Sequence, residues 1–307
     1  MPDDQALSFT CHGETLVGIL SPSAQAGAAR RGVLVIVGGP QYRAGSHRQF
    51  ALLARALAAR GIPVLRFDYR GLGDSGGAAR TFEDVREDVG AAIDAFQAAV
   101  PGLQEVVLWG LCDGASAALF YGPGDPRVQG LVLLNPWART AAGLARSTLK
   151  HYYWQRLRDP ALWRKLFSGR FAAGAALRSL LGLLGAARQP GADAAAAPNG
   201  GASAPHGAAA LAPCPRDGSA PPLSADLPAR LLDAMRRFPG RVLFIFSGAD
   251  LTAQEFLDMT KASRPWQQLL AAPTVQQHTL AGADHTFSTR AWRDQVADWT
   301  ADWVQAW

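Results

Sequence analysis

Val106-Val107-Leu108-Trp109-Gly110-Leu111-Cys112-Asp113-Gly114-Ala115-Ser116-Ala117 is the stretch on which the reading of this chain turns. A β-branched run passes into Gly-x-Cys-x-Gly and then into small, helix-compatible residues. This is the strand–turn–helix pattern of a nucleophile elbow, with cysteine in the central place where serine is commoner. Such a turn is tight and its central residue strained, so the flanking glycines let neighbouring backbone pass close without a Cβ. It exposes the sulfur at a helix N-terminus, where the positive end of the helix favours a thiolate.

Working outward, short apolar runs recur at Val33–Val37, Pro63–Tyr69, Glu105–Leu111, Leu131–Asn135, Arg241–Ser247 and Val275–Leu280. They are near-continuous rather than alternating, as expected of parallel strands covered on both faces. Helical patterns lie between them. Ser46 is placed to cap a helix that stops at Gly61, and Thr81 with Asp84 to open one carrying Val85, Val89 and Phe96 on one stripe. Thr252 with Glu255 reads as a further capping box, and a last helix over 288–306 repeats Trp292, Val296, Trp299 and Trp303. Ala6–Cys11 and Thr15–Leu20 read as an antiparallel hairpin. The expectation is an α/β fold, a mostly parallel sheet with helices on both faces.

A nucleophile on such a sheet needs an acid after a later strand and a histidine near the C-terminus, in that order. The run Arg241–Ser247 ends in Gly248-Ala249-Asp250, and Val275–Leu280 ends in Ala281-Gly282-Ala283-Asp284-His285. The expected catalytic residues are therefore Cys112, Asp250 and His285: Cys112 attacks a carbonyl, His285 moves the proton, and Asp250 fixes the imidazole tautomer. Asp284 competes for the last role, but adjacent side chains on a loop seldom orient each other. The Asp113 side chain is open between helix N-terminal charge and substrate contact, while its backbone N–H is the expected first oxyanion donor. The second should come from Gly38-Gly39-Pro40-Gln41-Tyr42-Arg43. Proline has no N–H, which leaves that of Gln41. Gly39 allows close backbone approach, and Tyr42 and Arg43 are expected as pocket walls, with a surface role for Arg43 equally open.

Composition narrows the rest. The 307 residues are 49% hydrophobic and 18% charged with a net charge of +5, a globular and mildly basic chain. Cys11, Cys112 and Cys214 form no disulfide framework and the six histidines show no zinc spacing, so neither a metal nor any other cofactor is expected, and a reducing, cytoplasmic setting is. No signal peptide or membrane-length apolar run is visible. Charge is uneven: residues 139–188 hold ten Arg or Lys against Asp159 and carry +9, leaving −4 on the remainder. Residues 189–222 follow with 12 Ala, 7 Pro and 5 Gly and are expected to be disordered, with Cys214 and His206 incidental. The expected organisation is a core of 1–137 and 239–307 interrupted by a helical cap of 138–238. For the basic, aromatic stretch 148–171 three readings stand: a lid packed over the pocket, an interfacial helix giving peripheral contact with the inner membrane, and an anionic-polymer site. Nucleic acid is not expected, because no recognition motif accompanies the charge.

At this point the residues resemble the α/β-hydrolase superfamily: Gly38-Gly39 after a strand, Asp68-Tyr69-Arg70-Gly71-Leu72-Gly73-Asp74-Ser75, the elbow, and the late Asp and His. More narrowly, GGPQYRAGSHRQF, GLCDGASA and SGADLTAQEF resemble the exosortase A system-associated hydrolases, type 1, a bacterial group linked to exopolysaccharide and surface-protein sorting loci. The resemblance covers about residues 6–137 and 240–307 and implies hydrolysis of a small-molecule acyl substrate. Cys in place of Ser, shared with dienelactone hydrolases, departs from the wider superfamily and suits activated esters, thioesters and lactones. A non-catalytic scaffold and an acyltransferase are the alternatives. Gly73-Asp74-Ser75-Gly76-Gly77 spells the trypsin-type serine motif, but it sits in a turn of an α/β pattern without the upstream His-Asp pair.

Overall fold

The computed structural model describes residues 3–25, 29–39, 41–139 and 226–307. Its eight strands are β1 (Gln5–Cys11), β2 (Glu14–Ser21), β3 (Arg31–Ile36), β4 (Val64–Asp68), β5 (Glu105–Leu111), β6 (Val128–Leu134), β7 (Arg241–Ser247) and β8 (Val275–Leu280). They form one sheet in the order β1-β2-β4-β3-β5-β6-β7-β8. The β1–β2 hairpin and the β2–β4 pair are antiparallel, and β3 through β8 run parallel. From β3 to β7 almost every residue is buried, as the unbroken apolar runs require, whereas the last strand β8 keeps several side chains exposed.

Helices α1 (Gln49–Ala59), α2 (Arg86–Ala99), α3 (Asp113–Tyr121), α4 (Leu227–Arg237), α5 (Leu251–Lys261), α6 (Arg264–Leu270) and α7 (Arg290–Gln305) complete these residues. On one face α1 and α7 bury Phe50, Leu53, Leu57, Val296 and Trp303 against Val33, Val35, Val107, Trp109 and Leu243 of the sheet. On the other face α2 and α3 pack together, with Val89, Ile93, Phe96 and Leu119 buried. Chain order places the crevice. From β3 the chain moves to β4 on one side, and from β5 to β6 on the other, so the loops after β3 and β5 diverge at the carboxyl edge of the sheet.

Several helix starts differ from the sequence reading. Ser46 caps nothing: Ser46–Arg48 is a separate 3-10 turn with left-handed His47 and Arg48, and α1 begins at Gln49. Residues 81–84 form a turn closed by the Asp84 N–H on the Thr81 carbonyl, and α2 begins at Arg86. The cap of α5 is Asp250, whose carboxylate accepts from the Thr252 and Ala253 N–H groups, rather than Thr252.

Two compact units divide the chain, 1–138 with 228–307, and 139–227. Residues 228–238 therefore belong with the sheet and not to the insertion expected over 138–238. The reason is the buried face of α4, where Leu231, Ala234 and Met235 lie inside and Phe238 follows against Gly122. The basic aromatic stretch 148–171, the apolar run 177–187 and the Ala/Pro/Gly-rich segment 189–222 fall outside the described residues.

Candidate active site

Strand β5 hands over to α3 through Cys112, which holds φ 61° and ψ −125°. That left-handed backbone is unusual for a residue with a side chain, and the surroundings impose it. The Cys112 N–H donates to the Leu134 carbonyl at 2.9 Å, and the Cys112 carbonyl accepts from Trp137 at 3.1 Å and from Ala115 at 3.1 Å. A Cβ on Gly110 would lie 2.3 Å from the Gly114 carbonyl oxygen, and one on Gly114 would lie 2.5 Å from that of Ile36. The two glycines of Gly-x-Cys-x-Gly are thus fixed by close backbone approach. The Cys112 side chain is half-buried and packs against the cluster beneath α1 and α7.

The acid and the histidine come from the ends of β7 and β8. His285 Nδ1 lies 2.9 Å from Asp250 Oδ2. A carboxylate only accepts, so the Nδ1 atom carries the proton, and in the neutral ring Nε2 is the atom left with a lone pair. Asp250 is held in turn by the amides of Thr252 and Ala253, so one carboxylate both caps α5 and orients the imidazole. Its competitor Asp284 is occupied otherwise, accepting from the N–H and the hydroxyl of Ser288.

The Asp113 side chain does something the sequence left unresolved. Its Oδ2 accepts the Gly39 N–H at 2.8 Å and its Oδ1 the Gly114 N–H at 3.0 Å, so it fastens the loop after β3 to the elbow. Burial pushes the Asp113 carboxyl up, opposed by the N–H groups of Gly39 and Gly114, its own N–H and the charge of His285. The Gly39 N–H is thereby spent on Asp113, with Gly39 itself at φ +58°. Among the described residues the Gln41 N–H has no hydrogen-bond partner, while the Gln41 amide oxygen faces Gln49 at 3.4 Å.

Arg43, expected either as a pocket wall or at the surface, is turned to two carboxylates. Its guanidinium pairs with Asp68 and Asp74, and its N–H donates to Asp68 Oδ1 at 2.7 Å. Asp68 is fully buried and needs these donors. Tyr42 is the one large hydrophobic side chain left exposed among the described residues, at 50%. Ser75 of the trypsin-like pentapeptide is structural: its hydroxyl donates to the Asp68 carbonyl at 2.6 Å and accepts the Val17 N–H at 2.9 Å. Sequence reasoning missed Asn135 and Ser247, buried residues that hydrogen-bond to each other and to the backbone of the His285 loop. No local pattern marks them, since the contacts span more than a hundred residues.

An elbow after the fifth strand, an acid after the seventh and a histidine after the eighth, on a parallel sheet led by an antiparallel hairpin, decide the fold. The chain has the α/β-hydrolase fold. The family model described as serine aminopeptidase, S33, matches residues 28–171. A curated relative, a polyketide transferase from a Penicillium species, is 28% identical over 140 residues, a stretch covering 44% of this chain and 46% of that one, so the match spans less than half of the relative. Among solved structures, a Pyrococcus furiosus esterase superposes with a TM-score of 0.62 at 14% identity, covering 99% of this chain and 91% of the esterase. The dienelactone hydrolase of Anabaena variabilis gives 0.57 at 15%, covering 100% and 98% of the two chains. The α/β hydrolase GrgF of a Penicillium species gives 0.57 at 17%, covering 99% of each. At such identities the likeness is one of fold. Among the described residues no cluster of His, Cys, Asp and Glu could hold a metal, and no helix is long and apolar enough to cross a membrane.

Proposed function

We propose that this α/β hydrolase cleaves an ester, thioester or lactone acyl bond with Cys112 as nucleophile, His285 as base and Asp250 as its orienting acid. The observation that carries the reading is the 2.9 Å contact between His285 Nδ1 and Asp250 Oδ2, at the same sheet edge as the left-handed Cys112. His285 Nε2 takes the thiol proton and the sulfur attacks the carbonyl carbon. The resulting oxyanion is held by the N–H groups of Gln41 and Asp113, and collapse expels the alkoxide or thiolate, which leaves with the proton from His285. Water then attacks the acyl-sulfur bond, gives a proton to His285, and releases the acid and the free thiol. Resemblance to the exosortase-associated hydrolases supports a bacterial, cytoplasmic role in exopolysaccharide or surface-protein systems, with the basic stretch touching the inner membrane.

Acyl transfer is a second reading, favoured by the name of the curated relative, a polyketide transferase. It uses the same acyl-Cys112 intermediate and replaces water with a hydroxyl acceptor.

The test is iodoacetamide labelling together with turnover of p-nitrophenyl esters and acyl-thioesters, in wild type, Cys112→Ala and His285→Ala. Fast labelling at Cys112 that slows without His285, with turnover lost in both variants, is the expected result. Labelling of Cys112 as slow as that of Cys11, with no turnover, would return the chain to a scaffold role. A hydroxyl acceptor that diverts acyl groups from free acid to adduct selects transfer over hydrolysis.

A further inference from the structure

We propose that Asn135 is a positioning residue for the triad: its side-chain amide ties the loop carrying His285 to the strand ends that carry Cys112 and Asp250, and so sets the reach of the imidazole to the sulfur. The inference rests on the triad reading above and adds the part that holds the three residues in register.

Asn135 directly follows β6, the strand lying between β5 and β7, and is fully buried at φ 44°. Its neighbours hold the elbow. The Leu134 carbonyl accepts the Cys112 N–H at 2.9 Å, the Trp137 N–H donates to the Cys112 carbonyl at 3.1 Å, and the Ser116 hydroxyl donates to the Trp137 carbonyl at 2.7 Å. Its side chain holds the other two members. Asn135 Oδ1 accepts the Ser247 N–H at 2.9 Å, three residues before Asp250. Asn135 Nδ2 donates to Ser247 Oγ at 2.8 Å and to the His285 carbonyl at 3.1 Å, and Ser247 Oγ donates onward to the Asp284 carbonyl at 2.8 Å. One buried amide thus joins the ends of β6 and β7 to the loop after β8.

The chemistry of the position selects asparagine. It must tolerate a left-handed backbone, supply one acceptor for the Ser247 amide, and supply two donors for a hydroxyl and a carbonyl; Asn meets all three. Aspartate has the shape but not the donors, and an aliphatic residue, the default at the end of a buried strand, would take a partner from the Ser247 N–H, the Ser247 hydroxyl and the His285 carbonyl, leaving the hydroxyl only the Asp284 carbonyl. A network satisfied to this degree is stiff, and its loss is felt beyond one bond. The imidazole is then fixed at two points, by Asp250 on Nδ1 and by Asn135 and Ser247 on the carbonyls of residues 284 and 285. Asp250 and Asp113 are the charged groups facing it.

The experiment measures the iodoacetamide labelling rate of Cys112 from pH 4 to pH 10 by mass spectrometry, with ester kcat and KM and thermal melts, in wild type, His285→Ala, Asn135→Asp and Ser247→Ala. Without its imidazole, Cys112 keeps only the helix N-terminus to favour the thiolate, so the labelling midpoint should rise above that of wild type. Folded Asn135→Asp and Ser247→Ala should move the midpoint toward that of His285→Ala by about one pH unit and lower kcat by about tenfold or more, with KM nearly unchanged. A merely structural clamp would lower the melting temperature and leave the midpoint alone, and that result overturns the proposal. Should Asn135→Asp not fold, Ser247→Ala decides, since it deletes two of the bonds without altering a strained residue. A wild-type midpoint equal to that of His285→Ala would refute the triad itself, a failure read without either clamp variant, and the positioning role would fall with it.

Discussion

Gly38→Ala tests the fastening between the loop after β3 and the elbow. A Cβ at position 38 would sit 2.1 Å from Asp113 Oδ1, 2.6 Å from the Gly114 nitrogen and 2.7 Å from the Leu111 carbonyl oxygen. A carboxylate can swing aside, but the other two atoms are backbone of the elbow. To restore contact distances of about 3.5 Å the loop must retreat by nearly 1 Å. That carries the Gly39 N–H, now 2.8 Å from Asp113 Oδ2, beyond hydrogen-bond range. Losing a bond to a buried carboxylate costs about 1.5–3 kcal/mol, and the overpacking adds about 1–3 kcal/mol. Together these amount to about 2.5–6 kcal/mol, which lowers the melting temperature by roughly 5–24 °C in a domain of this size. The Gln41 N–H travels with the loop, so ester turnover should fall by about 10²–10³, the usual cost of one misplaced oxyanion donor. Differential scanning calorimetry and p-nitrophenyl ester turnover read the two effects. Combining Gly38→Ala with Asp113→Ala should cost less than the two variants taken separately, because both break the same bond. A Gly38→Ala protein melting within about 2 °C of wild type, with turnover within about threefold, would refute the account of the fastening.

Asp250→Ala should lower turnover on the order of 10³-fold or more and destabilise by about 1 kcal/mol through loss of the α5 cap, while Asp284→Ala, which frees only Ser288, should stay within about tenfold in turnover. Steady-state kinetics on the two variants, with urea melts, separates the two acids, and equal losses would contradict the geometry. Burial alone would raise the Asp125 carboxyl, but hydrogen bonds from Arg127 and Tyr121 bring it from 3.8 down to about 2. A carboxyl lowered in the folded state stabilises fully above its unfolded value and loses that stabilisation as pH falls from about 4 to about 2. After solvent screening this amounts to about 1 kcal/mol, so the stability deficit of Asp125→Asn measured by urea melts at pH 6 should shrink at pH 2.5.

The central parallel strands are legible in the sequence because burial on both faces leaves no choice of residue: β5 and β7 begin and end where the apolar runs do, whereas β8 matches its expected bounds without being buried. The order of Cys112, Asp250 and His285 is legible because each follows such a run. Helix starts are less so. The Thr252–Glu255 spacing imitates a capping box, yet Asp250 takes the cap, since it must also face the imidazole and α5 begins directly after it. Arg43 looks available from its neighbours in sequence, and only the fold brings it to Asp68, 25 positions on. Asn135 and Ser247 are silent for the same reason: each reads as the polar end of an apolar run, and the partners come from three different strands.

Strand order has a consequence for how this molecule fails. Cys112 follows a central strand, with β3 and β6 paired on either side of β5, whereas His285 follows β8, which among the described residues has a neighbour on one side only and exposed residues along its length. Marginal strands open at lower free energy than central ones. Fraying that begins at β8 would carry the histidine away while the elbow stayed folded. Activity and overall structure are therefore protected to different depths, and mild heat or denaturant should silence the chemistry reversibly before the sheet itself is lost.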